Sequence, residues 1–170
     1  MFRKIELNEL ALNPFTELGK NWTLISARNP EGKVNTMTAS WGAMGVLWGK
    51  ETVTIYVRQT RYTKEFIDAS DRFTLSLFYG HKEELGVLGT KSGRDGDKIA
   101  EVGFTVVDID GQPGFEQAKC VLVCRKMYET YMAPEDIPQE ELDKWYAKGD
   151  ADKNYHTMYI AEIEGCYIKG

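Results

Sequence analysis

The run Arg58-Gln59-Thr60-Arg61-Tyr62-Thr63-Lys64 lies between an alternating β-branched stretch and a short amphipathic segment. A strand-to-helix junction matters chemically because the first N–H groups of a helix lack intrahelical acceptors and carry the positive end of its dipole. Two arginines add charged, forked donors, while Thr60 and Thr63 add hydroxyls, a donor set suited to phosphate oxygens. Each charge-assisted bond contributes about 1.5–3 kcal/mol net, so three or four would anchor a phosphate monoester. A solvated basic turn with Thr63 as an ordinary N-cap accounts for the same residues equally well.

A second stretch, Val34-Asn35-Thr36-Met37-Thr38-Ala39-Ser40-Trp41-Gly42, mixes β-branched with small polar residues. Small side chains let a flat ligand approach the backbone, and Asn, Thr and Ser can bond ring oxygens and nitrogens. An edge strand leaving the core at a glycine turn reads the same way. Other chemistries find little support. There is no GxGxxG after a strand, no GxxxxGK[ST] loop and no GxSxG. Asp108-Ile109-Asp110-Gly111 begins like a calcium loop, but the remaining ligand positions fail. Three cysteines without CxxC spacing read as reduced thiols, and Cys120 and Cys124 fall in the apolar run 120–124 as inert core groups. With two histidines in the chain, a Cys/His zinc site is weakly supported, so no metal is expected.

The elements that must position these residues are mostly strands. Val53, Ile55 and Val57 alternate with polar neighbours, as do Phe73, Leu75 and Leu77. Further strands are expected over 22–27, 34–40, 103–109, 119–129 and 156–164. Asp110-Gly111 between two strand-like runs predicts a hairpin. Helices are expected over 63–70 and 138–148, the latter with Leu142, Trp145 and Tyr146 as its apolar stripe, and more weakly over 82–89, which Gly86 interrupts. Many short strands with few helices favour a β-dominated fold, an antiparallel barrel with peripheral helices.

At 170 residues the chain has the size of one domain, 1–170, with enough length for a core without staples. A net charge of −5 argues against a nucleic-acid partner. The basic residues nevertheless cluster at 58–64 and 91–98, which suits a small anion better than a polyanion. No apolar run is long enough to span a bilayer and no signal-peptide core follows Met1, so a cytoplasmic protein without membrane contact is expected.

Three blocks in order resemble the flavin reductase-like, FMN-binding split-barrel family, including flavoredoxin-type proteins. They are 35–41, then 58–67 followed by Phe73-Thr74-Leu75-Ser76-Leu77, then Lys91-Ser92-Gly93-Arg94-Asp95-Gly96-Asp97-Lys98. The resemblance runs over roughly 22–110 and resumes at 155–163. It implies an antiparallel Greek-key split barrel that forms a homodimer, with FMN near the subunit interface. Carried over by position, Asn35, Met37, Thr38, Ala39, Ser40 and Trp41 would line the isoalloxazine ring and ribityl chain. Arg58, Arg61 and Thr63 would hold the phosphate with Thr60 and Tyr62 nearby, and Lys98 would reach in from the third block, oriented by Arg94. For Lys98 and Arg94 a salt-bridged loop with Asp95 and Asp97 is the competing reading. His156 aligns with a family histidine, although a structural role suits a lone histidine at a strand start better. Residues 130–153 depart from the pattern as either a lid or a surface excursion. The implied function is an FMN-dependent oxidoreductase taking electrons from NAD(P)H or a protein donor. The alternative is a non-catalytic flavin-binding electron carrier with a redox protein partner.

Overall fold

The computed structural model describes residues 1–170. Ten strands form: β1 (Phe2–Ile5), β2 (Thr23–Arg28), β3 (Val34–Ala39), β4 (Gly42–Leu47), β5 (Lys50–Arg58), β6 (Arg72–Leu77), β7 (Val106–Ile109), β8 (Gln112–Phe115), β9 (Cys120–Tyr131) and β10 (His156–Lys169). The main sheet is antiparallel in the order β3-β2-β6-β9-β10-β5-β4, with β1 on the far half of β10. Two register shifts, at Ile160/Ala161 and Ile163/Gly165, interrupt the β9–β10 ladder. The first half of β10 pairs β5 and its second half pairs β1, so the barrel splits along this strand. This is the Greek-key split barrel expected.

Two-residue turns set the hairpins. Trp48 and Gly49 both take positive φ, 52° and 72°, between β4 and β5. Asp110 and Gly111 do the same, at 55° and 77°, between β7 and β8. Two positive-φ residues in succession give the turn whose twist matches the strands it joins, so the predicted Asp-Gly hairpin forms. The inner core packs Ile25, Val53, Ile55, Phe66, Phe73 and Tyr159 inside the barrel. A second cluster, with Leu24, Phe78, Leu85, Leu88 and Phe115, seats the peripheral elements on the outside. Cys120, Cys124 and Cys166 are all buried and unbridged, as the sequence indicates for the first two.

The helices are α1 (Pro14–Thr16, continued by a π-turn over Glu17–Asn21), α2 (Tyr62–Asp68), α3 (Lys82–Thr90), α4 (Lys98–Glu101) and α5 (Gln139–Trp145). None is long and apolar enough to cross a membrane. Gly86 does not break α3, because Leu85 and Leu88 bury the helix against the outer core and offset glycine's weak propensity. The strand expected at 103–109 begins only at Val106, since α4 and a turn at Gly103 precede it. β1, β4, β8, α1 and α4 were not anticipated. Gly42-Ala43-Met44-Gly45 has neither alternation nor β-branching, and pairing with β5 alone makes β4 a strand.

Candidate functional site

Two hollows meet where β3, β5 and β10 face α3. The first, of about 300 Å³, is walled by residues 37–41, Tyr56, Trp145 and His156. The second, of about 550 Å³, is walled by Asn35, Thr60, Tyr62, Thr63, Lys98, Asn154 and the loop 90–93. Arg58 and Arg61 line both and so join them into one cleft. A third, mainly apolar hollow of about 510 Å³ continues from Ser40, Trp41 and Tyr56 toward Phe15, Leu18, Met44 and Met132. The cleft thus runs from an apolar end through a ring-lined middle to a cationic, polar end.

At the polar end three cations converge. Arg61 donates to the carbonyl of Gly89 at 2.6 Å, and Lys98 donates to those of Leu88 (2.7 Å) and Lys91 (2.9 Å). Leu88 and Gly89 lie in the last turn of α3, whose carbonyls lack helical partners and carry its negative dipole end. The helix C-terminus therefore holds the cations in place. Arg58 donates to the carbonyls of Asn154 (2.9 Å) and Trp145 (3.1 Å) and lies over the Tyr146 ring at 4.9 Å. None of the three is in an ion pair. Burial, and then the neighbouring Arg61, lowers Lys98 to about 8. Burial, and then Arg58, lowers Arg61. Partly buried like charges that form no ion pair repel one another, and an added anion would relieve that.

The hydroxyls complete the cradle. Thr63 Oγ1 accepts from Asn35 Nδ2 at 3.0 Å and Thr60 Oγ1 accepts from Asn154 Nδ2 at 2.6 Å, which leaves both hydroxyl protons to be donated. Gly93 is required beside them, because a Cβ there would come within 2.2 Å of Asn35 Oδ1.

The structure redraws several sequence expectations. Thr63 is not an N-cap: Arg61 takes that position, without a side-chain cap, and α2 is too short to contribute much dipole. Asn35 sits at the polar end rather than beside the ring-lined middle. Arg94 faces a neighbouring hollow with Lys33 and Asp97, stacks on Tyr62 at 4.5 Å and pairs with Glu65 rather than with Asp95 or Asp97. Met37, Thr38, Ala39, Ser40 and Trp41 are brought together in the middle hollow, and Arg58, Thr60, Arg61, Tyr62, Thr63 and Lys98 at the polar end.

Sequence reasoning missed Tyr56, Trp145 and Asn154 as cleft residues. Tyr56 carried a signal, since it stands two residues from Arg58 and so shares its strand face. The departure at 130–153, expected as either a lid or a surface excursion, folds back over the cleft as 132–155. Its Trp145 and Tyr146, expected as the apolar stripe of a docking helix, reach into the cleft. Trp145 meets Trp41 edge-to-face at 5.0 Å, and Tyr146 bonds His156 Nδ1 at 2.6 Å. His156 stands directly across from Arg58 on paired strands. Burial, and then Arg58, holds its pKa near 4, so the ring is neutral at pH 7.

Fold and cleft together define a class: a split β-barrel with a cationic, polar hollow next to a slot lined by small and aromatic residues. The sequence model of the flavin reductase like domain matches residues 15–170, and the chain belongs to that family. No curated protein is significantly similar in sequence. Among solved structures, the FMN-binding domain of a flavin reductase-like enzyme from Shewanella baltica OS155 is similar, with a TM-score of 0.69 at 18% identity over 99% of this chain and 77% of that one. Flavoredoxin from Methanosarcina acetivorans gives 0.65 at 22% identity, over 88% and 68%. The styrene monooxygenase flavin reductase from Pseudomonas putida S12 gives 0.62 at 17%, over 88% and 79%. At these identities the likeness is one of fold.

Proposed function

We propose that the cleft binds FMN and that the protein is an oxidoreductase of the flavin reductase type, passing electrons from NAD(P)H or a protein donor to an acceptor. The observation that carries this reading is the set Arg58, Arg61 and Lys98, gathered beside a ring-lined hollow, with Asp150 on the same lining but in an ion pair with none of them. A phosphate monoester supplies the missing counter-charge and completes the bonds left open on Thr60 and Thr63. The small residues 38–40 let a flat ring lie against β3. When bound, the flavin supplies hydride and electron chemistry. The chain's own residues bind, orient and exclude water. His156, neutral and tied to Tyr146, fixes the cleft wall rather than shuttling protons.

The family resemblance supports a homodimer, and the exposed apolar side chains of Phe15, which lines the apolar end, and of Val46 and Trp48 are in keeping with it. A carrier reading, in which a redox protein rather than a pyridine nucleotide delivers electrons, is favoured by Trp145 standing at the mouth of the middle hollow. The test is an absorbance spectrum of protein incubated with FMN and desalted, followed by anaerobic NADH and NADPH. Retained bands that bleach quickly support the reductase. Retained bands that persist point to the carrier, and no retained flavin overturns a resident cofactor.

A further inference from the structure

Trp145 is placed differently from the other residues of the middle hollow. Residues 37–41, Tyr56 and His156 belong to the sheet and its edge, while Trp145 arrives on the last turn of α5, within the excursion 132–155. That excursion is fastened at its start, where the Met132 N–H donates to the His156 carbonyl at 2.9 Å, and again at and after Trp145. Tyr146 is buried and bonds His156 Nδ1, and its ring carries the Arg58 guanidinium. Asn154 bonds Thr60, and Arg58 donates to the carbonyls of both Trp145 and Asn154. The Trp145 side chain itself is held lightly. It stays 38% exposed, touches Trp41 edge-on with an interplanar angle of 84°, donates Nε1–H to Glu141 at 2.9 Å and carries the Lys144 ammonium 4.9 Å from its ring, the last two partners belonging to α5 itself and free to move with the indole. A fixed backbone with a lightly held indole at the opening of a binding hollow is the arrangement of a gate residue.

We propose that Trp145 determines which electron donor reaches the cleft: resting against Trp41, it excludes a second planar ring from the middle hollow, so a pyridine nucleotide gains access only when the indole swings away. This rests on the FMN reading above and deepens it. The cradle residues do not move in this process, because Arg58 is bonded to the Trp145 carbonyl rather than to its side chain, and two of its five N–H donors serve the excursion. Phosphate binding and ring access are therefore separable. An edge-to-face aromatic contact contributes about 0.5–1.5 kcal/mol, which as an opening penalty corresponds to roughly a two- to twelve-fold effect on access.

The experiment compares wild type with Trp145→Ala and Trp145→Phe, each loaded with FMN, in stopped-flow bleaching by NADH and separately by dithionite, a small reductant that needs no ring slot. With FMN saturating, Trp145→Ala is expected to raise the ratio of its NADH bleaching rate to its own dithionite rate about two- to twelve-fold over wild type, and Trp145→Phe to keep the ratio near wild type. A readout without flavin accompanies it. In ¹⁵N-tryptophan-labelled apoprotein, the Trp41 indole signal is expected to be protected from a neutral paramagnetic probe in wild type and to broaden in Trp145→Ala. An unchanged or lower NADH-to-dithionite ratio in FMN-saturated Trp145→Ala overturns the gate. Failure of wild type to retain FMN overturns the cofactor reading instead, and an unprotected Trp41 in wild-type apoprotein then overturns the gate independently.

Discussion

Lys98 titrates near 8 because burial and Arg61 both disfavour its charge, so alkaline solution should strip the cradle of one cation. A bound phosphate reverses the preference: the dianion beside the ammonium raises the lysine's pKa, and binding above pH 8 takes up a proton. Affinity for FMN is then flat between about pH 7 and 8, where phosphate is a dianion and Lys98 is charged, and falls as pH rises through 8. With the bound form protonated throughout, the dissociation constant rises by up to tenfold per unit, or about 30-fold at pH 9.5 relative to pH 7. Lys98→Met keeps the apolar stem and deletes the charge. It should remove one charge-assisted bond, about 1.5–3 kcal/mol or roughly 10–150-fold in affinity at pH 7, and flatten the alkaline limb. Flavin fluorescence titrations from pH 7 to 9.5 measure both effects, with riboflavin as the control that lacks the phosphate. A flat wild-type profile, or a limb that survives in Lys98→Met, would refute the argument that Lys98 faces the phosphate.

The remaining expectations follow from the same cleft. Arg61→Ala should weaken FMN binding at least tenfold, by loss of a charge-assisted bond, while thermal stability changes little or rises as charge repulsion is relieved; equal affinity in a folded variant removes the phosphate assignment. Gly93→Ala should displace Asn35 from Thr63 and weaken FMN binding, read by the same titration, because its Cβ would fall 2.2 Å from Asn35 Oδ1. His156 has a pKa lowered to about 4, so the unfolded chain takes up its proton first as pH falls below 6.5. Stability is therefore lost between about pH 6.5 and 4, by at most about 3 kcal/mol, and His156→Gln should shrink that acid limb in denaturant titrations.

What could be read directly from the residues was local in origin. Strand alternation at Val53, Ile55 and Val57 depends on a residue and its neighbours two positions away, and the Asp110-Gly111 turn depends on two adjacent φ angles. The family resemblance rested on short contiguous blocks for the same reason, and it brought most of the cradle with it. Tertiary structure decided the rest. β4 is a strand because β5 offers it a ladder, despite a composition that does not favour one. Thr63 is not the cap because the N-cap falls two residues earlier, at Arg61, and the Thr63 hydroxyl accepts from Asn35 of β3 instead. Arg61 and Lys98 meet only through the carbonyl end of α3, and Trp145 meets Trp41 only because 132–155 folds back across the cleft. Each of these depends on contacts between residues remote in sequence, whose energies appear only once the chain has paid the entropy of bringing them together.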